Sequence, residues 1–396
     1  MAKFCVAGIV RNEVDYLVEW IAWHKLAGFD HAILADNGSD DGTRPLLEAL
    51  ESLGVVSLVY QPVMERHAQQ LAYRRILAKA LGEHDYVMFL DADEFLVHES
   101  QVHGEECREL EKLVERDGVD GVSINWRCFG SAGKKKYERS PVLKRFNYCA
   151  KPPGCVADHH VKSLMRVERV KIPYCHSSTL TYRSQYVDSA GKVIEDFVGS
   201  RDKTGNSDPR GGRTASIHEG PLRVHHYAVK SREEFERKRF RGSATKGTSY
   251  DKGEGYFRRY NVNEDKFYFQ PGKLVRLERE ISLLKQLLKN KTTLTDRLLG
   301  AVDFSGADEL TGWVTARDGS SVSQMVNIFV NGVHVGRTRA GFYRPDLVRA
   351  GKAKDGFCGF RWAHPLPLSA GDRVTVSLHA NESPLAGRSE FVVGDP

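Results

Sequence analysis

The segment YVMFLDADEFLVHE, residues 86–99, constrains the fold of this 396-residue chain more than any other stretch. Tyr86–Leu90 is apolar without alternation, which suits a central strand of a parallel sheet covered on both faces. It ends in Asp91, Asp93 and Glu94, with only Ala92 among them. Open α/β sheets bind ligands at the carboxyl ends of such strands. Carboxylates gathered there repel one another unless a proton or a cation intervenes. Hard cations such as Mg²⁺ and Mn²⁺ prefer oxygen ligands, and Mg²⁺ is usually shared between one or two carboxylates and substrate phosphates. A solvated turn capping a helix is the plain alternative, and the rest of the N-terminal half decides against it.

That half alternates strand and helix patterns. Lys3–Val10 reads as a strand and Val14–Leu26 as a helix; strand Ala32–Ala35, helix Thr43–Leu53, strand Val55–Tyr60 and helix His67–Leu81 follow. The strand ending at Asp91 comes next, and later Gly121–Phe129. This order predicts a mostly parallel sheet with helices on both faces. A hairpin is expected around Asp188–Gly191, and Gly199–Gly220, rich in Gly, Ser, Asp and Arg, is expected to be a mobile loop. Residues 231–241 read as a charged helix. Lys273–Asn290 is an amphipathic helix with Leu274, Leu277, Ile281, Leu284 and Leu288 on one stripe. That stripe suits either packing on its own domain or a homodimer seam. From about residue 300 the pattern becomes short alternating strands, with a hairpin signal at Asn331-Gly332. The expected organisation is a catalytic domain at 1–245, a helical linker at 246–299 and an all-β sandwich at 300–396.

Composition narrows the class. Hydrophobic residues make up 41% and charged residues 28%, ordinary for a globular protein. No apolar window is long enough to span a bilayer, and the N-terminus lacks a signal-peptide layout. A cytoplasmic location is therefore expected, with peripheral membrane association left open. The seven cysteines are scattered without C-x-x-C, which indicates neither a disulfide framework nor a zinc cluster. The net charge of +6 suits a phosphate-bearing ligand and is too weak and dispersed for nucleic acid.

Three polar loops converge on one sheet edge. Val10-Arg11-Asn12-Glu13 ends the first strand, the D-N-G-S-D-D-G-T run from Asp36 to Thr43 ends the second, and Asp91-Ala92-Asp93-Glu94 ends the fourth. Acidic side chains there can accept from a base or a ribose hydroxyl, with loop amides completing the contact. The same D-N-G-S-D-D-G-T residues also suit a turn and helix cap.

The stretches IVRNEVDYLVEWIAWHKLAGFDHAILADNGSDDGT, FLDADEF and HHYAVKSREEFERKRFRG resemble glycosyltransferase family 2 and, more closely, family 92 and its bacterial relatives. The likeness covers roughly residues 3–245. It implies the GT-A fold, a nucleotide-sugar donor, a divalent cation (Mn²⁺ or Mg²⁺) and inversion at the anomeric carbon. By position, it implies that Asp91 contacts the ribose or the metal's water shell and that Asp93 ligates the metal. Arg11, Glu13 and Asp36 then line the nucleoside pocket. His226 is the expected late histidine ligand, preferred over His225, and Lys238 and Arg241 are the cations for the diphosphate. Gln70 and Tyr73 are expected to pack beneath the donor loop.

An inverting transfer needs a base for the acceptor hydroxyl. Asp158 is the first candidate, with Glu94, Glu195, Asp196 and Glu219 open. A second metal site at Asp158-His159-His160 is disfavoured because neighbours on a strand point to opposite faces. The C-terminal segment resembles small β domains appended to bacterial polysaccharide glycosyltransferases. Its Trp313, Phe342, Tyr343 and Trp362 suit either a glycan platform or the sandwich core, with the core favoured for the tryptophans. The reading is a metal-dependent hexosyltransferase using a UDP-hexose donor, with galactose implied by the family likeness. Its acceptor would be a saccharide in cell-surface polysaccharide (capsule) synthesis. The alternatives are a non-catalytic glycan-binding protein on a degenerate fold and a sugar nucleotidyltransferase. The latter would need a Gly-rich phosphate loop that V-R-N-E does not provide.

Overall fold

The computed structural model describes residues 2–59, 68–101, 104–195, 197–198, 211–239, 252–295, 298–305, 309–317, 319–320, 325–363, 368–378, 385 and 387–394. The chain divides into two compact units, residues 1–285 and 286–396.

In the first unit the strands are β1 (Phe4–Val10), β2 (His31–Asp36), β3 (Val56–Val59), β4 (Tyr86–Phe89), β5 (Glu94–His98), β6 (Val119–Cys128), β7 (Tyr148–Cys149), β8 (Val161–Arg166), β9 (Val170–Ile172), β10 (Thr179–Leu180), β11 (Gln185–Asp188), β12 (Leu222–His226) and β13 (Asp265–Lys266). The helices are α1 (Leu17–Leu26), α2 (Thr43–Ser52), α3 (Ala68–Ala80), α4 (Glu105–Val114), α5 (Val142–Arg145), α6 (Arg232–Arg239), α7 (Glu254–Tyr260) and α8 (Pro271–Thr295). Nine strands form one sheet, ordered β3-β2-β1-β4-β8-β6-β12-β5, with β11 beside β6. The N-terminal strands β1 to β4 pair in parallel. β8 runs antiparallel between β4 and β6, and β5 antiparallel to β12. The result is a Rossmann-like sheet, parallel in its first half and mixed in its second.

The apolar runs become buried strands: every residue of β1 and β4 is buried. Ala72, Tyr73 and Ile76 of α3 pack on them in one core cluster, and the Tyr73 ring stacks on Phe89 at 3.9 Å. Tyr73 thus packs on β4 in the core. One glycine is dictated by a close approach: a Cβ on Gly8 would lie 2.5 Å from the Leu90 carbonyl oxygen. Only a residue without a side chain lets β1 lie that close to the start of the acidic turn. The sequence expectation of one strand ending at Asp91 hides a second strand. β5 begins at Glu94, so the acidic residues form the turn between β4 and β5.

On α8 the expected stripe is the buried one: Leu277 and Leu284 are buried, and Leu274, Ile281 and Leu288 are half-buried. The second unit is a sandwich of two four-stranded antiparallel sheets. One contains Leu298–Ser305, Glu309–Ala316, Phe357–Ala363 and Phe342–Tyr343; the other contains Val333–Arg339, Met325–Val330, Arg373–Leu378 and Glu390–Val392. Asn331 and Gly332 form the expected turn, both at positive φ. Trp313 is buried and Trp362 packs against the core, whereas Phe342 and Tyr343 are exposed. No described helix is long and apolar enough to cross a membrane.

Candidate active site

The turn at 91–94 is fixed from α1. The Trp20 indole N–H reaches the carbonyl oxygens of Asp91 and Glu94, both at 3.0 Å, and the Trp23 N–H reaches that of Leu96 at 2.7 Å. His24 accepts the Leu96 amide at 3.4 Å on Nε2, and its Nδ1 lies 2.9 Å from the Trp20 carbonyl. The E-W-x-x-x-H spacing therefore serves the acidic turn through helical geometry, since residues three and four apart share a face.

Each aspartate meets a lysine. Lys162 of β8, fully buried, places Nζ 3.2 Å from Asp91 and 3.0 Å from Glu94. Lys238 of α6 pairs with Asp93 and donates to the Ala228 carbonyl at 2.8 Å. Burial opposes charge on Asp93, yet Lys238, His226 and Lys230 hold its carboxyl well below the usual range. Glu94 behaves differently. Burial, assisted by Asp91 and Asp93, pushes it up to about 8, although Lys162 opposes the shift. Its Oε2 accepts the Asp91 amide at 2.8 Å, bracing the turn from inside.

Around these carboxylates lies a cleft of about 230 Å³. Arg11, Glu13 and Asn37 line it from the ends of β1 and β2, and Gln69 from α3. Trp126, His226, Tyr256 and Tyr260 line it from β6, β12 and α7, and Cys175 and His176 complete the wall. Lys238 is aimed by a capping box: the Ser231 amide donates to Glu234 at 3.2 Å and the Glu234 amide to the Ser231 hydroxyl at 3.3 Å. Glu234 is itself held by Arg145 through two bonds of 2.8 and 2.9 Å. The motif S-R-E-E-F-E-R-K thus starts α6 and brings Lys238 to Asp93.

The expected residues fall into three groups. Arg11, Glu13, Asp91, Asp93, His226 and Lys238 come together in the cleft. Asp36, Glu94 and Asp158 do not line it. Asp36 is buried and accepts the Ser39 amide at 3.3 Å, with Asn37 facing the cleft in its place. Asp158 is buried, and its two oxygens accept the amides of Cys128 and Cys155 at 2.7 and 2.9 Å. Glu195 and Glu219 are exposed and do not line the cleft. Arg241, Asp196 and residues 199–210 of the expected mobile loop lie outside the described residues. The described remainder of that loop is bonded, with Thr214 N–H on the His159 carbonyl at 2.9 Å and His218 N–H on Asn125 at 3.0 Å.

Sequence reasoning missed Lys162, Trp126, Gln69, Cys175, His176, Tyr256 and Tyr260. Lys162 carried a signal, a lone lysine in the apolar run V-K-S-L-M. The tyrosines of α7 carried none, since nothing local ties residues 254–260 to the sheet edge.

The donor types, though not their present spacing, suit a hard divalent cation. Burial pushes the His226 imidazole down to about 3 despite Asp93, so it is neutral and has a lone pair to offer. Its Nε2 lies 3.9 Å from Asp93, and its Nδ1 is buried without a hydrogen-bond partner. Two carboxylates and a neutral imidazole suit Mn²⁺ or Mg²⁺. In the present rotamers Lys238 is the cation on Asp93. Among the described residues, the trio of candidate ligands gathered within 4.8 Å is instead Cys128, Cys155 and Asp158, whose carboxylate the two amides already engage.

Residues 2–202, about half of the chain, match the family model for glycosyltransferase family 92. A glycosyltransferase family 92 protein of Oryza sativa subsp. japonica is 32% identical over 95 residues, covering 24% of this chain and 16% of that protein. One of Arabidopsis thaliana is 32% identical over 103 residues, covering 25% of this chain and 18% of its own length. The chain therefore matches under a fifth of the length of either relative. Among solved structures, S. aureus TarS aligns over 99% of this chain and 77% of its own, at 10% identity and a TM-score of 0.31.

Proposed function

This chain belongs to glycosyltransferase family 92, and from that premise we propose that it moves a hexose from a uridine diphosphate donor to a saccharide acceptor. The reaction is metal-dependent and inverting in this reading, with galactose as the first donor to try and cell-surface polysaccharide as the product class. One observation carries the reading. Asp91, Asp93, neutral His226 and Lys238 meet in a cleft at the carboxyl ends of β1, β2 and β4, where an open α/β sheet takes its ligand.

The chemistry matches those side chains. Breaking the bond from the anomeric carbon to the diphosphate leaves negative charge on the leaving group. A divalent cation held by Asp91, Asp93 and His226 would supply the charge that stabilises it. Lys238, already at Asp93, is the protein's own cation for the same diphosphate. Arg11, Glu13 and Asn37 give the β1 and β2 side of the cleft the polar groups a nucleoside needs. Glu94 stays beneath the turn as a positioning residue, and Trp20 and Lys162 hold the turn in register.

Calorimetry of UDP binding with and without Mn²⁺ tests the metal and the donor together. The expected outcome is Mn²⁺-dependent binding that weakens about a hundredfold in Asp93→Ala, the order expected for loss of a ligand or its oriented charge. Equal affinity in chelator removes the metal from the mechanism. Absence of UDP binding with Mn²⁺ removes the donor class.

A further inference from the structure

We propose that Trp126, Tyr256 and Tyr260 form the acceptor subsite for a pyranose. The sugar stacks on the half-buried Tyr256, and Tyr260 backs the Tyr256 ring. The buried Trp126, its faces already covered by His160 and His226, offers its N–H to the sugar's rim. This rests on the glycosyltransferase reading of the cleft and assigns its other side.

The cleft is chemically two-sided. Arg11, Glu13 and Asn37 come from the ends of β1 and β2, while the ring side carries a cation, Lys252, whose Nζ lies 5.4 Å from the Tyr256 centroid. The rings come from the opposite half of the sheet and from α7. The rings form a continuous series: Trp126 lies 4.1 Å from His226, His226 5.6 Å from Tyr260, and Tyr260 4.6 Å from Tyr256, centroid to centroid. Asp91 and Asp93 share the same cleft, so a sugar on this wall sits beside the leaving diphosphate rather than in place of the nucleoside.

Polar atoms along the wall match the edge of a sugar as the rings match its face. Trp126 is 95% buried, and its indole N–H has no hydrogen-bond partner, although the residue lines the cleft. A buried donor left unpaired costs free energy, which a ligand oxygen would recover. His176 lies 3.0 Å by Nδ1 from the Val161 carbonyl, which can only accept. Its Nδ1 therefore carries the proton, and Nε2 is left as an acceptor. The Tyr256 hydroxyl can both donate and accept. A pyranose has an apolar C–H face and a rim of hydroxyls that both donate and accept. Aromatic faces with a spare N–H, a phenol and an imidazole acceptor suit it better than an extended peptide, which would need backbone partners.

Saturation-transfer NMR on the full chain decides between a sugar and a nucleobase on this wall. The probes are UDP with Mn²⁺ and, separately, a set of methyl hexopyranosides. Wild type is expected to saturate the ring protons of at least one glycoside when the aromatic region is irradiated. Tyr256→Ala and Tyr260→Leu are expected to weaken that glycoside about tenfold, the order of one lost stacking platform, and to leave the uracil signals of UDP in place. Loss of the uracil signals with the sugar signals retained makes the wall a base platform and overturns the proposal. Wild type that binds UDP but no glycoside also overturns it. Wild type that binds a glycoside but not UDP sinks the donor reading and leaves the sugar wall standing. Should the variants melt below the measuring temperature, the wild-type epitope decides: saturation concentrated on one C–H face supports stacking, and uniform saturation overturns it.

Discussion

Asp158 ties the end of β6 to the turn that opens at Cys155, because each of its oxygens takes one buried backbone amide. A base for an acceptor hydroxyl needs a free lone pair and access to the substrate. Asp158 borders neither the cleft nor solvent. Asp158→Asn should therefore cost about 1–3 kcal/mol of stability, since an amide N–H₂ then faces a backbone N–H. Transfer activity of the folded variant should stay within about tenfold, where loss of a base would remove about 10²–10⁴. Chemical denaturation and initial rates on the same samples measure both, and a hundredfold rate loss in a stably folded variant would restore Asp158 as the base. The sequence showed an acid after a strand; it could not show that two amides converge on it. The D-x-D aspartates were legible because strand and charge adjoin in sequence. Lys162, which neutralises Asp91, comes from a strand seventy residues later and was legible only as a lysine among apolar neighbours.

At the scale of elements, α1 organises its surroundings through Glu19 as much as through its tryptophans. Glu19 is buried and accepts the amides of Val142 and Leu143, at 2.7 and 3.1 Å, at the start of α5. Burial pushes its carboxyl up to about 7, although those amides and Arg145 favour the charge. An acid whose folded pKa is raised binds more protons in the fold than in the unfolded chain. Its contribution is complete below about 4.5 and is lost as pH rises through about 7. The full swing is about 3 kcal/mol by linkage. Glu19→Gln removes the titration while keeping an acceptor for α5. Urea midpoints at pH 5 and pH 8 should fall together less in the variant than in wild type. An equal decline in both would show that Glu19 does not titrate in this window. Helix signals of this kind were partly readable: residues 231–241 read as a charged helix without its capping box, and the stripe of α8 gave its buried face. β5 was not readable, because the three apolar residues Phe95, Leu96 and Val97 after an acidic turn look the same as the continuation of one strand.

For the whole molecule, the change of pattern near residue 300 was the most legible feature, because alternation of period two replaces helical periodicity and turns recur at short intervals. What sequence could not give was the mixed sheet: β5 reverses through the short acidic turn and pairs with β12, more than a hundred residues later, β8 reverses after a long connection, and no local residue choice records which neighbour a strand will find. The sandwich has a core of its own. Val314, Val326, Ile328, Val374 and Val376 are all fully buried in one cluster, and every member of that cluster lies between Leu298 and Val393. One core cluster of the Rossmann-like unit is drawn from residues 5–197, and further buried residues of that unit run to Leu277. A domain of about a hundred residues with two antiparallel sheets facing one core can bury enough surface to fold alone. A fragment of residues 286–396 should therefore unfold cooperatively and show dispersed amide signals without the rest of the chain. Val326→Ala within it should lower stability by about 1–3 kcal/mol, the cost of emptying a well-packed site. Thermal and urea unfolding of the fragment and its variant measure this. A broad, non-cooperative transition, or a variant indistinguishable from the parent, would show that the sandwich core does not sustain itself without residues 1–285.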